Sequence, residues 1–211
     1  MPNRFFITGT DTGVGKTVVS ALLCAGLGAI YWKPIQTGTR EGTDTHTVMR
    51  LAQLPRKRTF PETYRFAPPV SPHLAARLAG ARIELRKIRL PRMGPLEGVI
   101  VEGAGGVLVP INARQTMADL IKHLKLPALL VARTSLGTIN HTLLSLAALR
   151  GAGVEVGGVV LVGTENGENR KAIEHFGKVD VVGWIPPLRD MNRMSLLRVF
   201  RKTFDSRVFS V

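Results

Sequence analysis

The stretch that most limits what this chain can fold into is FFITGTDTGVGKTVVSALL, residues 5–23. An apolar run, Phe5-Phe6-Ile7, breaks into a glycine-containing turn. The turn ends in Gly15-Lys16-Thr17, and a second apolar run, Val18-Val19-Ser20-Ala21-Leu22-Leu23, follows at once. A strand, a tight turn and a helix start in that order aim backbone N–H groups into one concavity, where a phosphate can be held. The common phosphate-loop spacing, G-x-x-x-x-G-K-[ST], places glycine at position 10. Position 10 is Thr10 and the nearest glycine, Gly9, comes one residue earlier, so this loop is one residue longer. Gly13 and Gly15 still permit close backbone approach, Lys16 would reach the β- and γ-phosphates of a bound nucleotide, and the Thr17 hydroxyl would ligate Mg²⁺.

Around that loop, strands and helices alternate. Strands are expected over 4–8, 29–33, 98–101, 128–132, 159–162 and 179–182, and helices over 17–27, 44–54, 72–78, 116–124 and 138–150. The helix ends carry ordinary stop signals: Pro55 after the second, and Gly151 and Gly153 after the last. Thr116-Met117-Ala118-Asp119 reads as a capping box. The stretch 54–72, with Pro55, Pro61, Pro68, Pro69 and Pro72, reads as an irregular excursion. Apolar strands joined by helical crossovers imply a mostly parallel sheet with helices on both faces, whose ligands sit at the carboxyl ends of the strands. One α/β domain spanning 1–211 is expected, with no internal repeat or linker.

Composition excludes several classes. Cys24 is the sole cysteine, which rules out an intrachain disulfide and a cysteine-rich metal site, and it reads as a small buried hydrophobe. The histidines, His46, His73, His123, His141 and His175, show no metal-ligand spacing. No apolar run reaches the roughly 18 residues of a membrane span. Met1-Pro2-Asn3-Arg4 leads into a strand with no signal-peptide pattern, so a cytoplasmic protein is expected. The net charge of +14 raises the question of nucleic acid. Its basic runs (56–58, 86–92 and 189–207) lack interleaved aromatics or a DNA-reading motif, so a solvated basic surface is the preferred reading. The tail segment 194–200 reads as a terminal helix packing on the sheet rather than one lying on a membrane.

A bound Mg²⁺ needs further oxygens. Glu102 directly follows Val99-Ile100-Val101 and is placed for a metal carboxylate; alternatively the neighbouring glycine amides satisfy it. Asp44 opens a helix and is either a second metal carboxylate or a plain N-cap. Lys33 ends a strand beside Pro34 and either joins Lys16 at an anionic reacting centre or is a surface lysine.

With these residues in view, the chain resembles the dethiobiotin synthetase family. Thr8-Gly9-Thr10-Asp11-Thr12-Gly13-Val14-Gly15-Lys16-Thr17 is similar to that family's loop, extra residue included. Five further segments follow in family order: Lys33-Pro34-Ile35-Gln36-Thr37-Gly38, Ser71-Pro72-His73, Val101-Glu102-Gly103-Ala104-Gly105-Gly106, Leu136-Gly137-Thr138-Ile139-Asn140-His141 and Gly183-Trp184-Ile185-Pro186. The resemblance implies a P-loop nucleoside-triphosphate-binding fold and a ligase that uses ATP, Mg²⁺ and CO₂ to convert 7,8-diaminononanoate into dethiobiotin in biotin biosynthesis. It passes through a carbamate and a carbamic-phosphoric anhydride. By the same resemblance Lys33, Lys16 and Thr12 are catalytic. Thr17, Asp44 and Glu102 hold Mg²⁺, and Gly13, Val14, Gly15, Lys16, Thr17 and Val18 cradle the triphosphate. Gly103, Ala104, Gly105, Pro186, Pro187 and Leu188 complete the nucleotide site. Thr12, Lys33 and Thr37 meet the substrate, and Leu136, Gly137, Thr138 and Asn140 hold its carboxylate from a second subunit, which implies a homodimer.

The chain departs from the family at named places. Gly13 stands where many relatives carry Glu. Val162-Gly163 replaces an adenine-reading Asn-Asp pair, with Asn166 a loose substitute, so weak discrimination among nucleoside triphosphates is expected. The chain is several residues short between Lys16 and Lys33 and again between Thr37 and Asp44. Two other P-loop readings are disfavoured by the sequence. Partition-type ATPases carry a lysine five residues before the loop lysine, where this chain has Asp11. Corrin-type amidoligases carry an added glutaminase domain, for which 211 residues leave no room.

Overall fold

The computed structural model describes residues 3–209; Met1-Pro2 and Ser210-Val211 lie outside the described residues. The strands among the described residues are β1 (Arg4–Gly9), β2 (Ile30–Trp32), β3 (Ile35–Gln36), β4 (Thr59–Phe60), β5 (Tyr64–Arg65), β6 (Val99–Glu102), β7 (Ala128–Arg133), β8 (Val156–Val162) and β9 (Val181–Ile185). The helices are α1 (Lys16–Leu27), α2 (Asp44–Ala52), α3 (Pro72–Leu78), α4 (Met117–Leu124), α5 (Thr138–Gly151), α6 (Gly167–Gly177) and α7 (Arg193–Thr203). Seven strands form one sheet in the order β4-β2-β6-β1-β7-β8-β9, and each of its strand pairings is parallel.

The period of two along each strand sorts the core into two layers. Phe5, Ile7, Tyr31, Ile100, Leu129 and Val131 face α1, α2 and α7, where Leu22, Leu23, Val48, Leu51, Leu196 and Phe200 meet them. Phe6, Trp32, Val99, Val101, Leu130 and Ala132 face the other way, onto α3, α4, α5 and α6 through Ala75, Met117, Ile121, Leu146 and Ile173. Burying side chains of this size stabilises the fold by about 1.5–3 kcal/mol each. β1 is central, and the chain leaves it first toward β2 on one side and later toward β7 on the other. That reversal opens a crevice beyond the carboxyl ends of β1, β2 and β6.

Several expectations shift. α1 begins at Lys16, one residue before the expected start, and α2 stops at Ala52. The last strand runs over Val181–Ile185 rather than 179–182, because Val179 belongs to the turn after α6. The excursion 54–72 contains β4, which edges the main sheet, and β5, which pairs in parallel with β3 as a separate two-stranded sheet. α6 was not anticipated: of its length only Ile173 and Gly177 are buried, so it carries almost no apolar stripe. α7 packs on the sheet and α1 through Leu196, Val199 and Phe200, with Arg198, Arg201 and Lys202 exposed, as the terminal-helix reading requires. The Thr116 N–H donates to Asp119 Oδ2 at 2.7 Å, the expected capping box. Among the described residues no helix is long and apolar enough to cross a membrane.

Candidate active site

The loop after β1 folds as a cradle. Gly13 (φ 70°) and Gly15 (φ 104°) both lie in the left-handed region, and Gly15 caps α1. Lys16 is buried, and its Nζ donates to the Asp11 carbonyl at 2.8 Å across the loop. Burial brings its pKa down to about 8, against the pull of the Glu102 carboxylate. Asp11 itself accepts the Thr12 N–H at 2.6 Å. Val14 points into the core, leaving only its backbone for the cradle.

Three oxygens converge where α1 begins. Thr17 Oγ1 lies 2.9 Å from Asp44 Oδ1 and 2.9 Å from Glu102 Oε1. One hydroxyl proton serves only one of them at a time, so the cluster is short of positive charge. Lys33 supplies it. Its Nζ sits 2.8 Å from Asp44 Oδ2 and 3.1 Å from Glu102 Oε1, and also donates to the Gly103 carbonyl at 3.0 Å. Lys33 is 3% exposed, so it is not a surface lysine. Burial alone would push its pKa down, but the Glu102 and Asp44 carboxylates outweigh that and hold it raised. The same pairing holds Asp44 below its usual range despite its burial.

Neither Asp44 nor Glu102 is held in the plain structural way. The N-cap of α2 is Thr43, whose side chain accepts the His46 N–H at 3.1 Å. Asp44 is therefore the first helical residue, and its carboxylate is free to face Thr17. The short connection from Thr37 is closed by Gln36, whose buried Oε1 accepts the Asp44 N–H at 3.0 Å. Glu102 is met by side chains rather than glycine amides: besides Thr17 and Lys33, the buried Tyr31 hydroxyl donates to its Oε2 at 2.9 Å. Two carboxylates and a hydroxyl are hard oxygen donors. Mg²⁺ bound by few protein ligands takes such a set, with phosphate and water completing its shell. Among the described residues no group of three or more His, Cys, Asp and Glu side chains is gathered for a metal.

The cluster lies in the wall of a cavity of about 740 Å³. Thr12, Gly13, Gly15, Lys16, Thr17, Val18, Lys33, Thr37, Asp44, Glu102, Ala104 and Gly105 line it, together with Ser71 and Pro72 of the Ser-Pro-His segment. The segment 136–140 does not line it. Leu136 is fully exposed, Gly137 (φ 90°) caps α5, and Asn140 is exposed. Thr138 is buried, its hydroxyl donates to the Arg133 carbonyl at 2.5 Å, and its N–H bonds Ser135. Pro186, Pro187 and Leu188 follow β9, also outside the cavity lining.

Sequence reasoning missed three residues. Tyr31 and Gln36 flank Lys33 and hold the two carboxylates in place. The signal for Tyr31 was its position two before Lys33, hence on the same side of an extended chain. Arg133, at the end of β7, places Nη2 3.4 Å from the Thr12 carbonyl and next to Gly13, in space that any side chain there would approach. At the expected base-reading position Val162 packs beside Gly15, and Gly163 carries no side chain; its carbonyl accepts the Trp184 indole N–H at 2.8 Å. The Asn166 side-chain oxygen is engaged in capping α6, accepting the Asn169 N–H at 2.9 Å.

Similarity to known proteins agrees with this geometry. The AAA_26 family model, an AAA domain, matches residues 3–195. The ATP-dependent dethiobiotin synthetase BioD of Brucella melitensis biotype 1 is 47% identical over 205 residues, covering 97% of this chain and 95% of the relative. That of Brucella abortus strain S19 is 46% identical with the same coverage. Among solved structures, a ParA family ATPase from Chlorobium tepidum superposes with a TM-score of 0.53 at 12% identity, covering 99% of this chain and 96% of that one. The cell division ATPase MinD of Pyrococcus furiosus gives 0.52 at 16% identity, with 95% and 98% covered. The signal recognition particle receptor FtsY of Elizabethkingia anophelis gives 0.55 at 15% identity; the chain is wholly covered but spans 65% of that protein. At such identities the structural neighbours establish the P-loop α/β fold alone. The loop, the carboxylate pair and the near-full-length relatives agree, and the chain belongs to the ATP-dependent dethiobiotin synthetase family.

Proposed function

We propose that the chain is an ATP- and Mg²⁺-dependent ligase that forms dethiobiotin from 7,8-diaminononanoate and CO₂ in biotin biosynthesis, with residues 1–211 acting as one domain. The observation that carries this reading is the gathering of Thr17, Asp44, Glu102, Lys16 and Lys33 on the wall of one cavity with room for a second, non-nucleotide substrate. One substrate amine takes up CO₂ as a carbamate. The carbamate oxygen attacks the γ-phosphate and ADP leaves. The second amine then attacks the carbonyl carbon, closes the ureido ring and expels inorganic phosphate.

Thr12 and Thr37, both on the cavity lining, hold the carbamate, and Lys33 neutralises it. Lys16 stabilises the charge on the transferring phosphoryl group, the largest demand in such a transfer. Gly13, Val14, Gly15 and Val18 contribute the cradle. Thr17, Asp44 and Glu102 hold Mg²⁺, which supplies charge neutralisation at the phosphate oxygens. Gly103, Ala104, Gly105, Pro186, Pro187 and Leu188 border the nucleotide. The exposed Leu136, with Gly137, Thr138 and Asn140, serves the site of a second copy, and the helix-start N–H groups of α5 receive the substrate carboxylate. The working form is then a cytoplasmic homodimer that engages neither membrane nor nucleic acid.

The test is inorganic phosphate release with diaminononanoate, bicarbonate and MgATP. Release that requires all three and yields the cyclic urea is expected; release independent of diaminononanoate, or none, overturns the reading. A second measurement concerns the base. A site built to hydrogen-bond a group rejects analogues lacking it by about 10⁴–10⁵. With Val162-Gly163 in place of the amide reader, kcat/KM for ATP, CTP and GTP is expected to agree within about tenfold, or ~1.4 kcal/mol. A preference for ATP beyond about a hundredfold contradicts it.

A further inference from the structure

We infer that Tyr31 is a positioning residue: through its hydroxyl it fixes the orientation of the Glu102 carboxylate toward the metal, and so sets the affinity of the site for Mg²⁺. This rests on the reading of Glu102 as a metal carboxylate.

Tyr31 lies in β2, which pairs with β6, and its ring is fully buried among Ile7, Val48, Leu51 and Ile100. A phenylalanine would fill that apolar layer equally well. The hydroxyl has one partner, Glu102 Oε2 at 2.9 Å. Glu102 is 1% exposed, so its orientation is set chiefly by protein groups. Its two oxygens divide their work: Oε2 is turned into the core toward Tyr31, and Oε1 meets Thr17 Oγ1 and Lys33 Nζ at the cavity. The terminal torsion of a glutamate is broad, so a carboxylate held at one oxygen only can swing. Lys33 cannot hold it reliably, because its ammonium is shared with Asp44 and the Gly103 carbonyl and must serve the reacting carbamate. Tyr31 is anchored in the sheet and stays whichever way Lys33 turns. Groups that orient a metal ligand in this manner typically change metal affinity or activity by about 10–100-fold when removed.

The experiment uses Tyr31→Phe, which keeps the ring and its packing, beside Glu102→Gln. Mn²⁺ binding to each protein with ADP is followed by loss of the free-ion EPR signal. ADP binding without metal is measured by calorimetry, and the Mg²⁺ dependence of phosphate release kinetically. For Tyr31→Phe the expected result is Mn²⁺ binding weakened about tenfold, a matching rise in half-saturating Mg²⁺, recovery of kcat at high Mg²⁺, and unaltered metal-free ADP binding. If Glu102→Gln weakens Mn²⁺ binding and Tyr31→Phe leaves it within twofold of the unmodified protein, the inference is overturned while the metal reading stands. If neither weakens it, both fail. If Tyr31→Phe lowers metal-free ADP binding as well, or high Mg²⁺ restores nothing, its role is structural and the inference is likewise overturned.

Discussion

Lys33→Ala is expected to lower kcat/KM for dethiobiotin formation by about 10³-fold, the scale of losing one charge stabiliser aimed at the reacting centre. The same substitution should also destabilise the metal-free protein, which a purely catalytic lysine would not do. The ammonium is the cation between Asp44 (2.8 Å) and Glu102 (3.1 Å), and both of those carboxylates contact one hydroxyl. Without it, negative charge stays in a largely buried cluster. Breaking a buried pair in this way costs about 3–5 kcal/mol, and the one-third exposure of the Asp44 side chain puts this case at the low end. A divalent cation bound to the same carboxylates replaces the missing charge. Millimolar MgADP should therefore raise the Tm of the variant by several degrees more than that of the unmodified protein, by ordinary ligand linkage. Activity within tenfold of the unmodified enzyme, or equal thermal responses to Mg²⁺, would show that Lys33 is neither the carbamate partner nor the counter-ion.

That double role was only half legible in the sequence. Lys33, at a strand end beside Pro34, reads from sequence either as a partner of Lys16 or as a surface lysine, and its pairing with Asp44 cannot be read from spacing. Asp44 comes to the site only because Thr43 takes the cap and Gln36 closes a shortened loop onto the Asp44 N–H. Both are local hydrogen bonds without a periodic signature. The strands were legible because buried parallel strands read as continuous apolar runs, and the capping box and α7 because their signals are short-range. β3 and β5 were not, since pairs of two residues among prolines carry no alternation. α6 escaped for a related reason: it buries Ile173 and little else, so its surface is written almost wholly in charged and polar residues. The extra loop residue is where pattern and structure meet best. It leaves Thr12 on the cavity wall and Arg133 near the Thr12 carbonyl, beside a Gly13 whose missing side chain leaves room for the guanidinium.

Gly15→Ala is expected to weaken ADP binding by about 100-fold or more, equivalent to ~2.7 kcal/mol, while the protein still folds. Gly15 holds φ 104° at the start of α1, and a Cβ there would stand 3.1 Å from Val162 Cγ1 and 3.2 Å from Cγ2. An L-residue in the left-handed region costs about 1–2 kcal/mol before any contact is counted. The loop can relieve both by rotating φ back to negative values, but that turns the peptide planes around Gly15 and takes their N–H groups off the phosphate. Binding is therefore lost chiefly because the cradle relaxes, and only secondarily by collision with Val162. Two further substitutions separate these causes. Gly15→Ala with Val162→Ala removes the contact and leaves the backbone strain, so it should recover less than about tenfold. Gly28→Ala places a similar strain (φ 60°, open space around the Cβ) at the other end of the same helix. It should lower Tm much as Gly15→Ala does and leave ADP binding intact. Full recovery in the double variant would assign the effect to Val162 packing, and ADP loss in Gly28→Ala would assign it to α1 stability; either result removes the loop amides as the reason this glycine is needed.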